Sequence, residues 1–550
     1  MKPIRRKPLN RRSFVRGASA LTGSTLAFPL VRDSFAQTPE ASPAGDSNTI
    51  VSSVEGVPNA YTAYPEPFQS VAEVPGDGST VKMLTLSYRP PVPGRDENQY
   101  WQELETRLGV TWEADLVPID TYNERIATTL AGGDLPDLFF LLPGASRPII
   151  YDGLRQGAFL DLTEIVESGR IKDYPNLGAY DDYLWDATRF EGKIWGVPKP
   201  VLRNNDVAFW RKDWGGILGT ETLGNRDDVH KYLVGVSSED PDGNGNARDT
   251  WGFAPYGGNW NNFILNQIFA VPYGWKLNDD GTLTAAHETE EYQAALEMAA
   301  QLFQDGAYHP DSATIDVAMA TEMVRAGQVG MATNGFAAVF GNSGFRTTVT
   351  ETVPDADYEA LILPGVDGGS GVTYQTTGIF GYTALPGAIA GDEDRIDLLL
   401  RVLDYLVAPF GSEESTFLRY GLEGVHSEPS DDGGFVLTEQ GTAEQGALVY
   451  PFLSENYFYY PGAPEETIAA QLHNEEMAKV AVSNPAALLF SPAQGEYGAT
   501  LSQLMTDMYT EIVTGRSGIE LLEETRGQWR ERGGDEIRAD YETMLAESGE

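Results

Sequence analysis

Apolar positions in the first third of the chain change period in a regular way. Val81 to Leu86 is a short apolar run, and Tyr100, Trp101, Leu104 and Leu108 then recur at the spacing of one helix face. Trp112 to Val117 reads as a second strand, and Tyr122, Ile126 and Leu130 mark a second helix that Gly132-Gly133 stops. Leu138 to Leu142 is unbroken apolar sequence, the pattern of a strand covered on both faces. This β-α-β-α-β order predicts the opening of an α/β domain with a parallel sheet. Farther along, Tyr292, Leu296, Ala299, Ala300 and Phe303 form a helical stripe. Ile396, Leu399, Leu400, Leu403 and Leu406 form another, as do Leu501, Leu504, Met505, Met508, Tyr509 and Ile512. Val329–Thr333 and Tyr358–Leu363 read as strands. The stripes are core positions, and no internal repeat is visible.

The N-terminus has a different character. Lys2, Arg5, Arg6 and Lys7 precede Arg11-Arg12-Ser13-Phe14-Val15, a mildly apolar run from Ala18 to Val31, and Ser34-Phe35-Ala36. Paired arginines, a short apolar run and a small-x-Ala site in that order predict a twin-arginine export signal over residues 1–36, so the expected location is periplasmic or cell-surface. Residues 37–76, rich in Pro, Ala and Ser without sustained periodicity, predict a disordered linker. The chain has no cysteine, so it is expected to carry neither disulfides nor a lipid anchor. Removing residues 1–36, with eight Lys/Arg and one Asp, would take the formal charge from −43 to −50. Such an acidic surface disfavours nucleic acid as a partner, and its scattered charges read as solubilising.

One loop has ligand-like spacing. Asp240, Asp242 and Asn244 alternate, Gly245 follows, Asn246 offers a backbone carbonyl, and Asp249 could close the shell. Oxygen ligands at positions 1, 3, 5 and 7, with glycine at 6, suit Ca²⁺ better than Mg²⁺. Trp251 stands where an EF-hand has its bidentate Glu, and a polar turn without an ion is the alternative. Catalytic signatures are missing: the five histidines are scattered, no His-Glu-x-x-His or Gly-x-Ser-x-Gly occurs, and no nucleotide-binding glycine motif is present. Aromatic and amide residues do gather in Gly-rich stretches, notably Trp260-Asn261 and Tyr273-Gly274-Trp275. Rings of this kind stack on the apolar faces of sugars while amides meet hydroxyls, with ordinary packing as the alternative at each.

Phe209-Trp210-Arg211-Lys212-Asp213-Trp214, followed by a helical stretch and Asp240-Pro241-Asp242-Gly243-Asn244-Gly245, resembles the bacterial extracellular solute-binding proteins of family 1, in the branch of alginate-oligosaccharide and lipoprotein-type sugar binders. Gly132–Asp137, Phe190–Pro198, Tyr420–His426 and the helical region Gly515–Gly534 match in the same order, so the resemblance spans most of residues 78–545. It implies an α/β, two-lobed periplasmic-binding-protein-like fold of class II type. Lobe 1 would hold residues 77–200 and 375–455, and lobe 2 residues 201–374 and 456–550. Crossings between lobes are expected near Pro198–Asn204, near Tyr374–Gly378, and between about Tyr450 and Pro461. The resemblance also implies that Tyr88, Arg89, Arg203, Asn204, Asn334 and Phe336 face the cleft, with Tyr374, Tyr420 and Glu423 on its hinge side. An interlobe salt bridge is the alternative role for Arg203 and Glu423.

The resulting expectation is an exported, monomeric binding subunit of an ABC importer. It would hold a carbohydrate between its lobes, deliver it to permease subunits without chemistry, and carry structural Ca²⁺. A secreted polysaccharide-degrading glycosidase or lyase is the rival, and a peptide or phosphate-ester binder on the same fold a weaker third.

Overall fold

The computed structural model describes residues 48–142, 147–254, 262–341, 344–454 and 456–548. Alternation along the strand Thr80–Ser87 sets up the first half of the molecule. Val81 and Met83 enter one apolar layer, and Leu84 and Leu86 enter the layer on the opposite face. The sheet runs in the order Thr111–Pro118, Thr80–Ser87, Leu138–Leu141, Ile379–Ala384, Val197–Pro200. The first three strands are parallel, and the late strand Ile379–Ala384 runs antiparallel to both its neighbours. Gln99–Leu108 and Glu393–Leu406 cover one face, whereas Ile119–Gly132 and Arg147–Arg155 cover the other. Residue type explains the helix ends: the Asn98 side chain accepts from the Trp101 amide at 2.8 Å, and Gly109 takes the left-handed conformation at the other end.

A second, antiparallel sheet orders Met331–Gly335, Asp206–Arg211 and Tyr358–Leu361. Along its central strand Val207 and Phe209 enter one core while Ala208 and Trp210 enter another. The latter core is completed by residues of Arg226–Ser238, Glu290–Gln304 and Pro492–Val513. A smaller cluster gathers Leu283, Leu501, Trp529, Ile537 and Tyr541. Two α/β lobes result. The chain leaves the five-stranded sheet at Pro200 and joins the second sheet at Asp206. It returns between Leu361 and Ile379, then passes from the first core at Phe452 to a core of the second lobe at Phe458.

The expectation of a disordered linker over residues 37–76 fails for its described part. Thr49–Ile50 pairs with Ala60–Tyr61, and Val57 and Ala60 are buried in a core of the second lobe. Gln471 donates to the carbonyls of Ile50 and Pro58, and the Tyr61 amide donates to the Phe458 carbonyl at 2.9 Å. Tyr64 is then buried against Phe410 and Tyr459, and shares a 2.8 Å hydroxyl contact with Thr416. Buried Glu414 accepts from the Ser70 amide and hydroxyl and from the Val71 amide. A few well-placed apolar residues and two buried polar partners therefore hold a stretch whose overall composition reads as loose. Residues 1–36 and the first part of the linker lie outside the described residues. Among the described residues no helix is long and apolar enough to cross a membrane.

Candidate functional site

Two of the crossing segments lie side by side. The Thr376 amide donates to the Arg203 carbonyl at 2.7 Å, and the Val201 amide to the Gly378 carbonyl at 3.0 Å. Gly378 sits at φ +83°, and a Cβ there would come within 2.8 Å of the Tyr183 ring, so this position demands glycine. Gln375, Thr376 and Thr377 line a cavity of about 700 Å³ that the first lobe enters through Pro148 and the second through Tyr273 and Trp275. Asn484 and Phe490 line it too, from the segment after Ala481–Ser483, a short strand that pairs in parallel with Thr373–Gln375. Gln494 and Ser502 complete the wall from the helix Pro492–Val513. A second cavity of about 220 Å³ shares Thr377 and Ala487 and continues past Tyr151, Arg189 and Phe380. The combined volume suits a ligand of several rings.

The aromatic walls are braced from behind. Tyr273 stacks on Tyr374 with centroids 4.7 Å apart and planes 10° apart, and the Tyr374 hydroxyl is fixed to the Val271 carbonyl at 2.8 Å. Trp275 lies 6.0 Å from Trp529 and 5.7 Å from Tyr541, centroid to centroid. Burial pushes the Tyr273 phenol up, and the negative charge of Asp206 pushes it further. Asp206 itself is raised by burial. Gln375 accepts from Arg203 at 3.0 Å, which orients its amide, and the guanidinium lies over the Tyr183 ring. A separate groove of about 440 Å³ follows the edge strand Thr111–Pro118, where Arg125 already pairs with Asp115 at 2.6 Å; no crossing segment reaches it.

The expected site residues fall into several groups. Trp275 lines the cavity, Arg203 holds the cavity residue Gln375, and exposed Tyr88 lies 6.5 Å from the Phe380 ring and 6.0 Å from Tyr450. Arg89 is exposed beside it. Phe336 is corrected to core: it is 1% exposed and packs on Phe340 and Phe458. Tyr374 is likewise 3% exposed and acts behind Tyr273. Asn204 is buried with its carbonyl bonded to Asn474, although its side-chain oxygen lacks a partner. Asn334 is exposed and caps the amide of Gly335. Tyr420 packs on Tyr64 and Phe435, and Glu423 is exposed nearby in sequence; neither is paired with Arg203. The N-terminal segment, whose docking the sequence did not reveal, is the neighbour of Tyr420. Trp260 and Asn261 lie outside the described residues. Tyr273 and Gln375 adjoin expected residues in sequence, whereas Asn484 and Gln494 carried no local signal.

In the acidic loop, Asp240 adopts φ +52° and accepts from the Gly245 amide at 3.0 Å. The Asn244 amide nitrogen lies between Asp242 and Asp249, 2.8 Å from each, and the Asn244 oxygen accepts from the Asn246 amide at 2.8 Å. Burial raises the Asp242 carboxyl, and the nearby Asp240 and Asp249 add to the shift. One oxygen each of Asp240 and Asp249 is buried without a hydrogen-bond partner. Among the described residues no three acidic or histidine side chains converge tightly enough to form a metal site as they stand. The orphaned oxygens and crowded carboxylates nevertheless fit a hard cation, with the Asn244 NH₂ occupying part of its place.

No family model matches the chain. The polygalacturonan/rhamnogalacturonan-binding protein YtcQ of Bacillus subtilis is 24% identical over 493 residues, which cover 86% of this chain and 93% of YtcQ. The match runs along most of both sequences. The chain is similar in sequence to solute-binding proteins of this kind and shares the fold of solved ABC-transporter solute-binding proteins. Among solved solute-binding proteins, Streptococcus pneumoniae FusA in complex with kestose superposes with a TM-score of 0.64 at 17% identity, covering 86% of this chain and 99% of FusA. The alginate-binding protein AlgQ2, solved without calcium ion, gives 0.61 at 15% identity, covering 86% of this chain and 99% of that one. FusA has also been solved as an EF-hand mutant.

Proposed function

We propose that this solute-binding protein is exported, takes an oligosaccharide into the cavity along its crossing segments, and passes it unchanged to a membrane permease. The observation that carries this reading is the cavity wall itself: braced aromatic rings beside amides and hydroxyls, with Pro148 contributed by the first lobe and Tyr273 and Trp275 by the second. Sugars are bound by such mixed walls, and a ligand touching both lobes stabilises their closed arrangement. A glycosidase needs two carboxyl groups flanking the scissile bond, yet no Asp or Glu lines either cavity among the described residues. The relatives support the same reading, because their names describe polygalacturonan/rhamnogalacturonan, fructooligosaccharide and alginate binders.

Within this proposal the lobes are residues 77–200 with 375–455, and 201–374 with 456–550. Export follows the twin-arginine route, and the exported protein is a monomer without a lipid anchor, unlike the similar protein LipO, which is named a lipoprotein. Asp240, Asp242, Asn244, Asn246 and Asp249 would hold Ca²⁺, which would neutralise the crowded carboxylates and stabilise the loop away from the cleft. Calcium at a hundredfold excess over its Kd adds about 2.7 kcal/mol to folding stability. Thermal unfolding with added calcium and with a chelator tests this: Asp249→Ala should abolish the difference, and an unchanged melting temperature in wild type would refute calcium binding. Isothermal titration against an oligosaccharide panel, paired with an assay for new reducing ends, tests the main reading. One-to-one binding without turnover is expected; turnover or silence across the panel would overturn it.

A further inference from the structure

We infer that the cleft selects uncharged saccharides and rejects uronates of the same size and linkage, an inference that rests on the cavity being a sugar site. Every described side chain lining the 700 Å³ cavity is uncharged. Besides the rings of Tyr273, Trp275 and Tyr541, its polar members are Gln375, Thr376, Thr377, Asn484, Gln494 and Ser502. Amides and hydroxyls can both donate and accept, as sugar hydroxyls do, whereas a carboxylate only accepts.

Three arginines near the cleft have partners of their own. Arg189, at the edge of the smaller cavity, donates to Asp186, the Gly192 carbonyl and Glu167. Arg155 pairs with Glu191 and Asp152 while lying over Phe190 and Phe490. Arg203 gives one nitrogen to Gln375 and lies against Tyr183. A guanidinium that captures a carboxylate does so through a two-pronged fork, and no described arginine lines the larger cavity. An acid beside the aromatic wall adds to the discrimination. Asp206 opens the central strand of the second sheet, is half-buried, and its charge acts on the Tyr273 phenol. A second carboxylate brought into that neighbourhood would lose its water and meet a like charge. The protein as a whole, at −43, repels polyuronates before they arrive.

The relative YtcQ is named for polygalacturonan, a uronate polymer, so preference within this fold does not follow from overall likeness. The distinguishing test uses twins. An oligosaccharide array would carry neutral and uronate partners of matched linkage, such as α-1,4-galactotriose against trigalacturonate, and mannotriose against trimannuronate. Hits would be titrated by calorimetry in 50 mM and 500 mM NaCl. Neutral sugars should bind at least tenfold more tightly than their uronate twins, with Kd changing less than twofold between the two salts. Uronate binding that equals or exceeds the neutral twin, or a Kd that weakens steeply with salt, overturns the inference and leaves the sugar-binding function standing. Silence across both classes overturns the function itself.

Discussion

Replacing Tyr64 by alanine distinguishes a docked N-terminal segment from a loose tether. Its ring is 8% exposed and makes edge contacts with Phe410, Tyr420, Phe435 and Tyr459 at centroid distances of 5.1, 6.2, 5.7 and 5.3 Å. Truncating a buried aromatic of this kind costs about 3–5 kcal/mol. The hydroxyl, 2.8 Å from Thr416, contributes about 1 kcal/mol of that, so Tyr64→Phe should recover most of the loss. Unfolding entropy of about 2.1 cal/mol/K per residue makes 1 kcal/mol worth roughly one degree in a body of this size. Tyr64→Ala should therefore melt about 3–5 °C below wild type in calorimetry, provided both lobes unfold together, and Tyr64→Phe about 1 °C below. An exposed tether residue would leave the transition within about 0.5 kcal/mol of wild type. A shift under 1 °C for Tyr64→Ala would show that the segment does not dock, and would remove Glu414 and Gln471 from their assigned roles.

Asp404 is buried against the amides of Asn176 and Leu177, and burial pushes its carboxyl up to about 6, with Glu414 adding to the shift. Its folded form holds the proton more tightly than the unfolded chain, so its contribution to stability is greatest at low pH and falls as pH rises from about 4 to 6. Urea midpoints for Asp404→Asn should lack that component and gain relative to wild type at pH 7.5; a wild-type pH profile in the variant refutes the assignment. Gly378→Ala, forced to φ +83° against Tyr183, should cost about 1–3 kcal/mol in denaturant unfolding. Gly216→Ala, on an open helix position, should cost nothing or stabilise by up to about 1 kcal/mol. Tyr273→Ala should weaken binding of whichever oligosaccharide the panel identifies at least tenfold by calorimetry, with the reducing-end assay still silent.

The elements were legible wherever one face of a segment is apolar. Helices expected from Tyr100 to Leu108 and from Ile396 to Leu406, and strands at Val81–Leu86 and Trp112–Val117, appear within a few residues, because burial enforces the period. What the pattern could not give was pairing between distant segments. Nothing local announces that Ile379–Ala384 inserts between Leu138–Leu141 and Val197–Pro200, or that Asn484 and Gln494 come to the same wall as Tyr273. Site residues carried over by likeness fared unevenly for a physical reason. Phe336 and Tyr374 occupy the cleft's neighbourhood, but their rings turn inward, the first into a core and the second behind Tyr273. Position along the chain fixes the neighbourhood of a side chain more firmly than the direction in which it points. The linker failed for the converse reason: polar, Pro-rich sequence can dock when buried acceptors such as Glu414 await it.

That docking has a consequence for the order of assembly. Ser52 meets Glu475 and Ser70 meets Glu414, partners separated by 423 and 344 residues. At ribosomal speeds of roughly 5–20 residues per second, about 20 to 80 seconds pass between making one partner and the other. The stretch translated first among the described residues must wait for late helices before it can settle.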